Sequence, residues 1–202
     1  MCGRYFMDED DIELREIIAE VNRRLPNATV RASGEVRPAD VAPVLAPDRR
    51  RRPSAFAMGW GYALPDGRRV INARSETAAE KPLFREGMAG RRCVVPASRY
   101  FEWERRSGAR TKYAMGDAAG GLIYMAGLYR KEAGGPTFTI LTRESAPNIA
   151  FIHDRMPVLL PKALVPAWLD PSADVRPLLD GALTGVTFAK VPGEMEQLGM
   201  EL

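Results

Sequence analysis

Prolines and glycines interrupt the chain so often between residue 26 and about residue 141 that only one stretch there suits a helix. The segments between the breaks are short and rich in β-branched and aromatic residues, which suit a pleated, half-buried surface. They predict strands at Val41–Leu45, Ala55–Trp60, Arg69–Ala73, Arg92–Pro96, Tyr100–Trp103, Lys112–Met115, Leu122–Tyr129 and Thr137–Thr142. The exception runs from Ser75 to about Phe84 and predicts a helix. Ahead of this region, a strand-like opening leads to Asp8, which is expected to cap a helix ending near Pro26; Leu14, Ile17, Ile18, Val21 and Leu25 follow its 3.6-residue period. Behind it come a short helical stretch at Pro147–Ile152, a strand at Met156–Leu160, a helix at Lys162–Leu169 and a last strand at Val186–Val191. Many short strands with few helices predict an α+β fold: a barrel-like, mostly antiparallel sheet with flanking helices.

A chain of 202 residues is expected to form one domain over 1–202, since domains run roughly 100 to 200 residues. With 46% apolar and 27% charged residues, wholesale disorder is excluded. The opening Met-Cys-Gly-Arg-Tyr-Phe-Met-Asp-Glu-Asp-Asp is acidic, and no run approaches the ~20 apolar residues of a membrane helix, so a cytoplasmic protein without a membrane partner is expected. Two cysteines cannot make a disulfide framework, and one histidine cannot complete the usual Cys/His zinc cage. Neither a metal nor a cofactor is expected.

The net charge of +3 hides an uneven distribution. Residues 1–48 carry 6 basic and 10 acidic side chains, residues 49–112 carry 16 and 6, and residues 113–202 carry 7 and 10. Of the 29 basic residues, 24 are Arg, whose planar fork suits phosphate. A basic middle third is the electrostatic footprint of a nucleic-acid binder. Within it, the run Arg49–Arg52 lies between Pro47 and Pro53 and reads as a solvated loop.

Four places offer chemistry. Removal of Met1 before the small Cys2 would leave a 1,2-aminothiol, with an amine pKa near ~8 and a thiol pKa of ~8.5. Such a group acts as a nucleophile with its own amine as base, or condenses with an aldehyde through an imine that the thiol traps as a thiazolidine. The bland alternative is an ordinary second residue; Cys93, in an apolar run, reads as a buried strand residue. Glu102 shares a strand face with Tyr100 in Tyr100-Phe101-Glu102-Trp103; it is either a partly desolvated proton shuttle or a carboxylate paired with a neighbouring arginine. His153 is the only histidine, a structural residue or an acid–base group. Asn72 and Arg74 stand where an apolar strand passes into a segment capped by Ser75, a place suited to an anion.

Taken together, Met1-Cys2-Gly3-Arg4, Asn72-Ala73-Arg74-Ser75-Glu76-Thr77, Pro96-Ala97 leading to Phe101-Glu102-Trp103, and His153-Asp154-Arg155-Met156-Pro157 resemble the SOS-response-associated peptidase (SRAP) family in order and spacing. The resemblance runs from residue 1 to about 160. It implies a DNA-repair protein that senses abasic sites in single-stranded DNA, loses Met1, and links Cys2 to the ring-opened sugar as a thiazolidine, shielding the strand. It implies a cytoplasmic, nucleoid-associated monomer, with autopeptidase activity on Met1 and lyase activity as further expectations.

Carried over, Cys2 is the cross-linking nucleophile, Asn72 orients the linkage, Glu102 shuttles protons and His153 contacts the sugar oxygen or an adjacent phosphate. Arg4 and Arg74 are similar to phosphate-binding positions, Trp60 to a tryptophan that packs on a base near the lesion, and Pro38 to a DNA-contacting proline. The chain also departs from the pattern. Arg99 replaces a small residue and is expected to reshape the approach to Glu102, and Glu35 brings negative charge to Glu35-Val36-Arg37-Pro38, where a neutral residue is usual. Thr142-Arg143-Glu144-Ser145 lacks the small and amide residues often found there.

Two other classes compete. Met-Cys-Gly also opens the N-terminal-nucleophile amidotransferases, which use a nearby Asn-Gly pair; none of Asn22, Asn27, Asn72 and Asn148 is followed by Gly. A non-covalent single-strand-binding module would use the basic third and bind intact and abasic DNA alike.

Overall fold

The structure is a computed structural model that describes residues 2–25, 30–106 and 109–192; Met1 and the expected helix end at Pro26 lie outside the described residues. Along the chain run β1 (Arg4–Met7), α1 (Ile12–Arg24), β2 (Gly34–Val36), β3 (Val41–Pro47), β4 (Pro53–Trp60), β5 (Tyr62–Ala63), β6 (Arg69–Val70), β7 (Asn72–Arg74) and α2 (Pro82–Gly90). Then come β8 (Arg92–Ala97), β9 (Arg99–Arg106), β10 (Ala109–Asp117), β11 (Ile123–Glu132), β12 (Gly135–Glu144), β13 (Arg155–Pro157) and β14 (Leu159–Leu160). A 3₁₀ turn at Lys162–Leu164 leads to α3 (Val165–Leu169), α4 (Val175–Asp180) and β15 (Val186–Lys190).

The expected α+β fold with a barrel-like sheet is what the chain forms. Strands β12, β4, β3, β8 and β11 pair in that order, and β11 returns to β12, closing a five-stranded barrel. Its pairings are antiparallel except β12 with β4. Every residue of β8 is buried, as expected of a strand covered on both faces. Closure demands a small residue at Gly127, where a Cβ would stand 2.9 Å from the Thr139 carbonyl oxygen. A buried arginine pins the barrel to the C-terminal helices: Arg92 donates to the carbonyls of Trp168 (2.7 Å), Met88 (2.9 Å), Ala173 (3.3 Å) and Asp170.

A second sheet, ordered β15-β10-β9-β1-β2, lies beside the barrel. Its register sets Tyr5 opposite Tyr100, and Tyr113 opposite Glu102. Because side chains alternate along a strand, Tyr5, Tyr100, Glu102 and Met115 share one face. All four are buried. The opposite face interleaves aromatics with cations: Arg99 lies 4.7 Å over Phe6, Lys112 3.9 Å over Phe101, and Arg110 4.7 Å over Trp103.

Two helices begin later than expected. Asp11, not Asp8, caps α1 by accepting from the Leu14 N–H at 3.0 Å, whereas Asp8 pairs with Arg99. Ser75–Lys81 is a run of turns, and α2 starts at Pro82 because Lys81, preceding a proline, is held extended at ψ 126°. Pro147–Ile152 is likewise turns rather than helix. β2, β5 and α4 had no counterpart among the sequence expectations.

Candidate active site

β1 begins at Arg4 while its partner β9 continues past Phe101, so the sheet leaves an open notch beside Glu102. There a cavity of about 930 Å³ opens, lined among others by Arg4, Arg74, Glu102, Trp103, Arg110 and His153. Cys2 and Gly3 lead into β1 at this notch, and Cys2 is fully buried. Asn72 on β7 donates through Nδ2 to the Cys2 carbonyl at 2.8 Å, which ties the N-terminal segment to the barrel. Asn72 Oδ1 is buried and accepts no hydrogen bond among the described residues.

Burial first, and the Glu102 carboxylate second, push the Cys2 thiol far above an ordinary thiol value. The side chain is therefore a neutral S–H at neutral pH, 3.7 Å from the Arg4 carbonyl oxygen. Glu102, 4% exposed, is the buried carboxyl beside it. His153 Nδ1 accepts from the Arg155 N–H at 3.0 Å, and the Asp154 carboxylate also lies 2.8 Å from the same nitrogen. One nitrogen cannot accept from the first and donate to the second. Asp154 is largely exposed while the Arg155 amide is fixed by the chain, so with Nδ1 accepting from that amide the donating ring nitrogen is Nε2.

The structure thus brings Cys2, Asn72, Glu102 and His153 together, with Arg4 and Arg74 at the same place. Arg74 is exposed and has no ion-pair partner among the described residues, nor has Arg110. Arg155 is committed, with two 2.7 Å bonds to Glu76 and a 2.8 Å bond to the Thr142 carbonyl.

Three expectations need correction. Trp60 is fully buried: its Nε1 donates to the Ile71 carbonyl at 3.1 Å and its ring packs between Tyr5 and Phe138, so no face is left for a base. Arg99 does not line the cavity: its guanidinium lies over Phe6 and donates to Asp8 at 3.1 Å, so it does not alter the approach to Glu102. Glu35 presents no open negative charge; it accepts from Arg4 at 2.9 Å and from Lys112, and Arg37 lies 3.8 Å away. Partial burial works against its charge, but the Lys112 and Arg4 hydrogen bonds win and hold the carboxyl below the usual range. Pro38 is exposed on the turn joining β2 to β3 and does not line the cavity.

Sequence reading missed Trp103, Arg110, Lys112 and Phe151 as cavity residues. The signal for the first three was the pairing of β9 with β10, which sets Lys112 opposite Trp103. Among the described residues no helix is long and apolar enough to cross a membrane, and no three His, Cys, Asp or Glu side chains gather as metal ligands.

The SOS response associated peptidase (SRAP) family matches residues 1–196. The chain belongs to this family. Among its SRAP relatives, the abasic site processing protein YoqW of Bacillus subtilis is 32% identical over 185 residues, covering 85% of this chain and 81% of its own. The abasic site processing protein YobE of the same organism is 33% identical over 187 residues, covering 85% and 83%. The SRAP fold is shared with a crystal structure of a Bacteroides thetaiotaomicron protein at a TM-score of 0.77 and 20% identity, covering 97% of this chain and 94% of that one.

Proposed function

We propose that this chain processes abasic sites in single-stranded DNA and attaches itself to them through Cys2 once Met1 is gone. What carries the reading is the placement of Cys2 against Glu102 and Asn72 at a notch rimmed by Arg4, Arg74, Arg110 and Lys112. The names of the relatives support it: YoqW and YobE are called abasic site processing proteins. The cytoplasm, on the nucleoid when DNA is bound, is where such a protein would act.

The chemistry balances without a cofactor. The ring-opened abasic sugar presents an aldehyde, and the freed Cys2 amine adds to its carbon and expels water as an imine. The thiol then adds across the C=N bond, sulfur to carbon and proton to nitrogen, closing the thiazolidine. A thiol held neutral by burial suits this last step, because its proton ends on the ring nitrogen rather than in solvent. Glu102 is the group that takes the proton from sulfur and passes it on, and it delivers the proton that leaves with water. Asn72 holds the Cys2 carbonyl, fixing the amine against the sugar carbon. His153 offers an Nε2–H donor to a sugar or phosphate oxygen. While Met1 is attached, the Cys2 nitrogen is an amide and cannot form the imine.

The test uses protein shown by intact mass to lack Met1, incubated with single-stranded DNA bearing one abasic site. A denaturation-resistant adduct is expected from the wild type and none from Cys2→Ala. An equally stable adduct from the alanine variant overturns the assignment. Equal affinity for intact and abasic strands with no covalent product favours the non-covalent module instead.

A further inference from the structure

Two exposed phenyl rings pack against each other, one of them in the wall of the cavity. Phe151, in the turn before His153, is 53% exposed and lines the cavity; Phe188 on β15 is 41% exposed. Their centroids are 5.4 Å apart, and each lies 6.0 Å from the Tyr113 ring on β10. Tyr113 is held from behind, its hydroxyl donating to Glu104 at 3.1 Å. Three separate segments of chain therefore build one aromatic shelf beside Glu102 and His153. Such rings are costly to leave in water, and a contiguous apolar patch of this kind marks a contact surface.

We infer that this shelf stacks on the nucleobase next to the abasic nucleotide, taking the place of the missing base. The inference rests on the proposed reaction at Cys2. A base flanking an abasic site has lost its stacking partner on one side, so an aromatic ring offered there gains contact that an intact strand would already have satisfied. Stacking on a phenyl ring also tolerates any base. The shelf adjoins the cations of the cavity wall, which follow a phosphate backbone rather than an apolar peptide. Trp103, the other aromatic of that wall, is already engaged by Arg110 at 4.7 Å and Arg4 at 5.7 Å. Phe151 and Phe188 are the two aromatic members among the exposed large hydrophobics of the described residues.

The experiment measures fluorescence anisotropy with single strands carrying a tetrahydrofuran abasic analogue. This sugar has no aldehyde, so binding is read apart from the Cys2 chemistry. Phe151→Ala and Phe188→Ala are each expected to weaken binding about five- to tenfold, at the lower end of what base–aromatic stacking contributes. Phe151→Leu keeps the apolar bulk and should recover only part of the loss; melting temperatures of all variants should match the wild type. When the base on one side of the lesion is also replaced by the analogue, the Phe151→Ala loss should vanish, which identifies the flank that stacks. Wild-type affinity of both alanine variants for every strand overturns the inference and leaves the patch to a protein partner. So does a loss that persists with both neighbouring bases removed. If no adduct forms with true abasic DNA yet the flank-dependent loss is seen, the reaction at Cys2 is wrong and the shelf stands.

Discussion

The closed barrel and the five-stranded sheet beside it use the same strand chemistry to opposite ends. In the barrel, β8 is buried at every position and even the charged Arg92 is enclosed, its guanidinium satisfied by backbone carbonyls. In the sheet, one face packs inward through Tyr5, Tyr100 and Met115, while the other carries Arg99, Lys112 and Arg110 over aromatic rings. A barrel has no open edge, so each of its strands has a neighbour on both sides. The sheet ends unevenly, and where β1 stops short of β9 it leaves the notch holding Cys2, Glu102 and the cavity. Stability should therefore be concentrated in the barrel and chemistry at the ragged end of the sheet.

The largest separation is expected from Glu102→Gln. It keeps the shape of the buried side chain but cannot transfer a proton, so cross-linking and its reversal should both slow by ~10² to 10⁴, about 3 to 5 kcal/mol in barrier. Affinity for the strand and the melting temperature should stay near wild type. Wild-type rates in both directions, followed on a timed denaturing gel, would remove Glu102 from the mechanism.

Arg92→Met tests the other half. The stem is kept, but the carbonyls of Trp168, Met88, Asp170 and Ala173 lose a buried charged donor, which should cost about 3 kcal/mol. For a chain of this size the melting temperature should fall by roughly 6 to 12 °C. Adduct formation per folded molecule, measured well below the transition, should not change. A variant that melts normally but cross-links slowly would erase the division between the two regions.

The smallest effect is expected from Arg74→Ala, at the rim of the notch. Arg74 is exposed and unpaired among the described residues, so its loss should leave stability within about 0.5 kcal/mol. If it contacts one phosphate, the slope of log affinity against log salt for single strands should flatten by about 0.7. An unchanged slope assigns the phosphate contacts to other cations of the notch, with Arg110 the next to replace.

Local pattern and motif order carried far in this protein. Short β-rich segments between turn-forming residues predicted seven of the eight central strands to within a few residues; the eighth, Arg69–Ala73, is split at Ile71 into β6 and β7, which join different sheets. The period of Leu14, Ile17, Ile18 and Val21 marked the buried face of α1, although the cap moved to Asp11, because several acidic residues there can all serve and only the folded N–H positions choose among them. The four motifs pointed to Cys2, Asn72, Glu102 and His153, which the fold gathers from four distant places in the chain.

Burial and strand parity were decided by tertiary structure alone. A tryptophan flanked by glycines reads equally well as a stacking platform or as core, and Trp60 became core because Phe138 of the barrel, Tyr5 of the adjoining sheet and the Ile71 carbonyl enclose it. Glu35 reads as an unfavourable charge until β2 pairs with β1 and brings Arg4 and Lys112 to it. The aromatic shelf draws Tyr113, Phe151 and Phe188 from separated segments and has no linear signature. Backbone preferences act over a few residues and can be read in order; which side chains share a face of a closed sheet depends on a register between strands far apart in the chain.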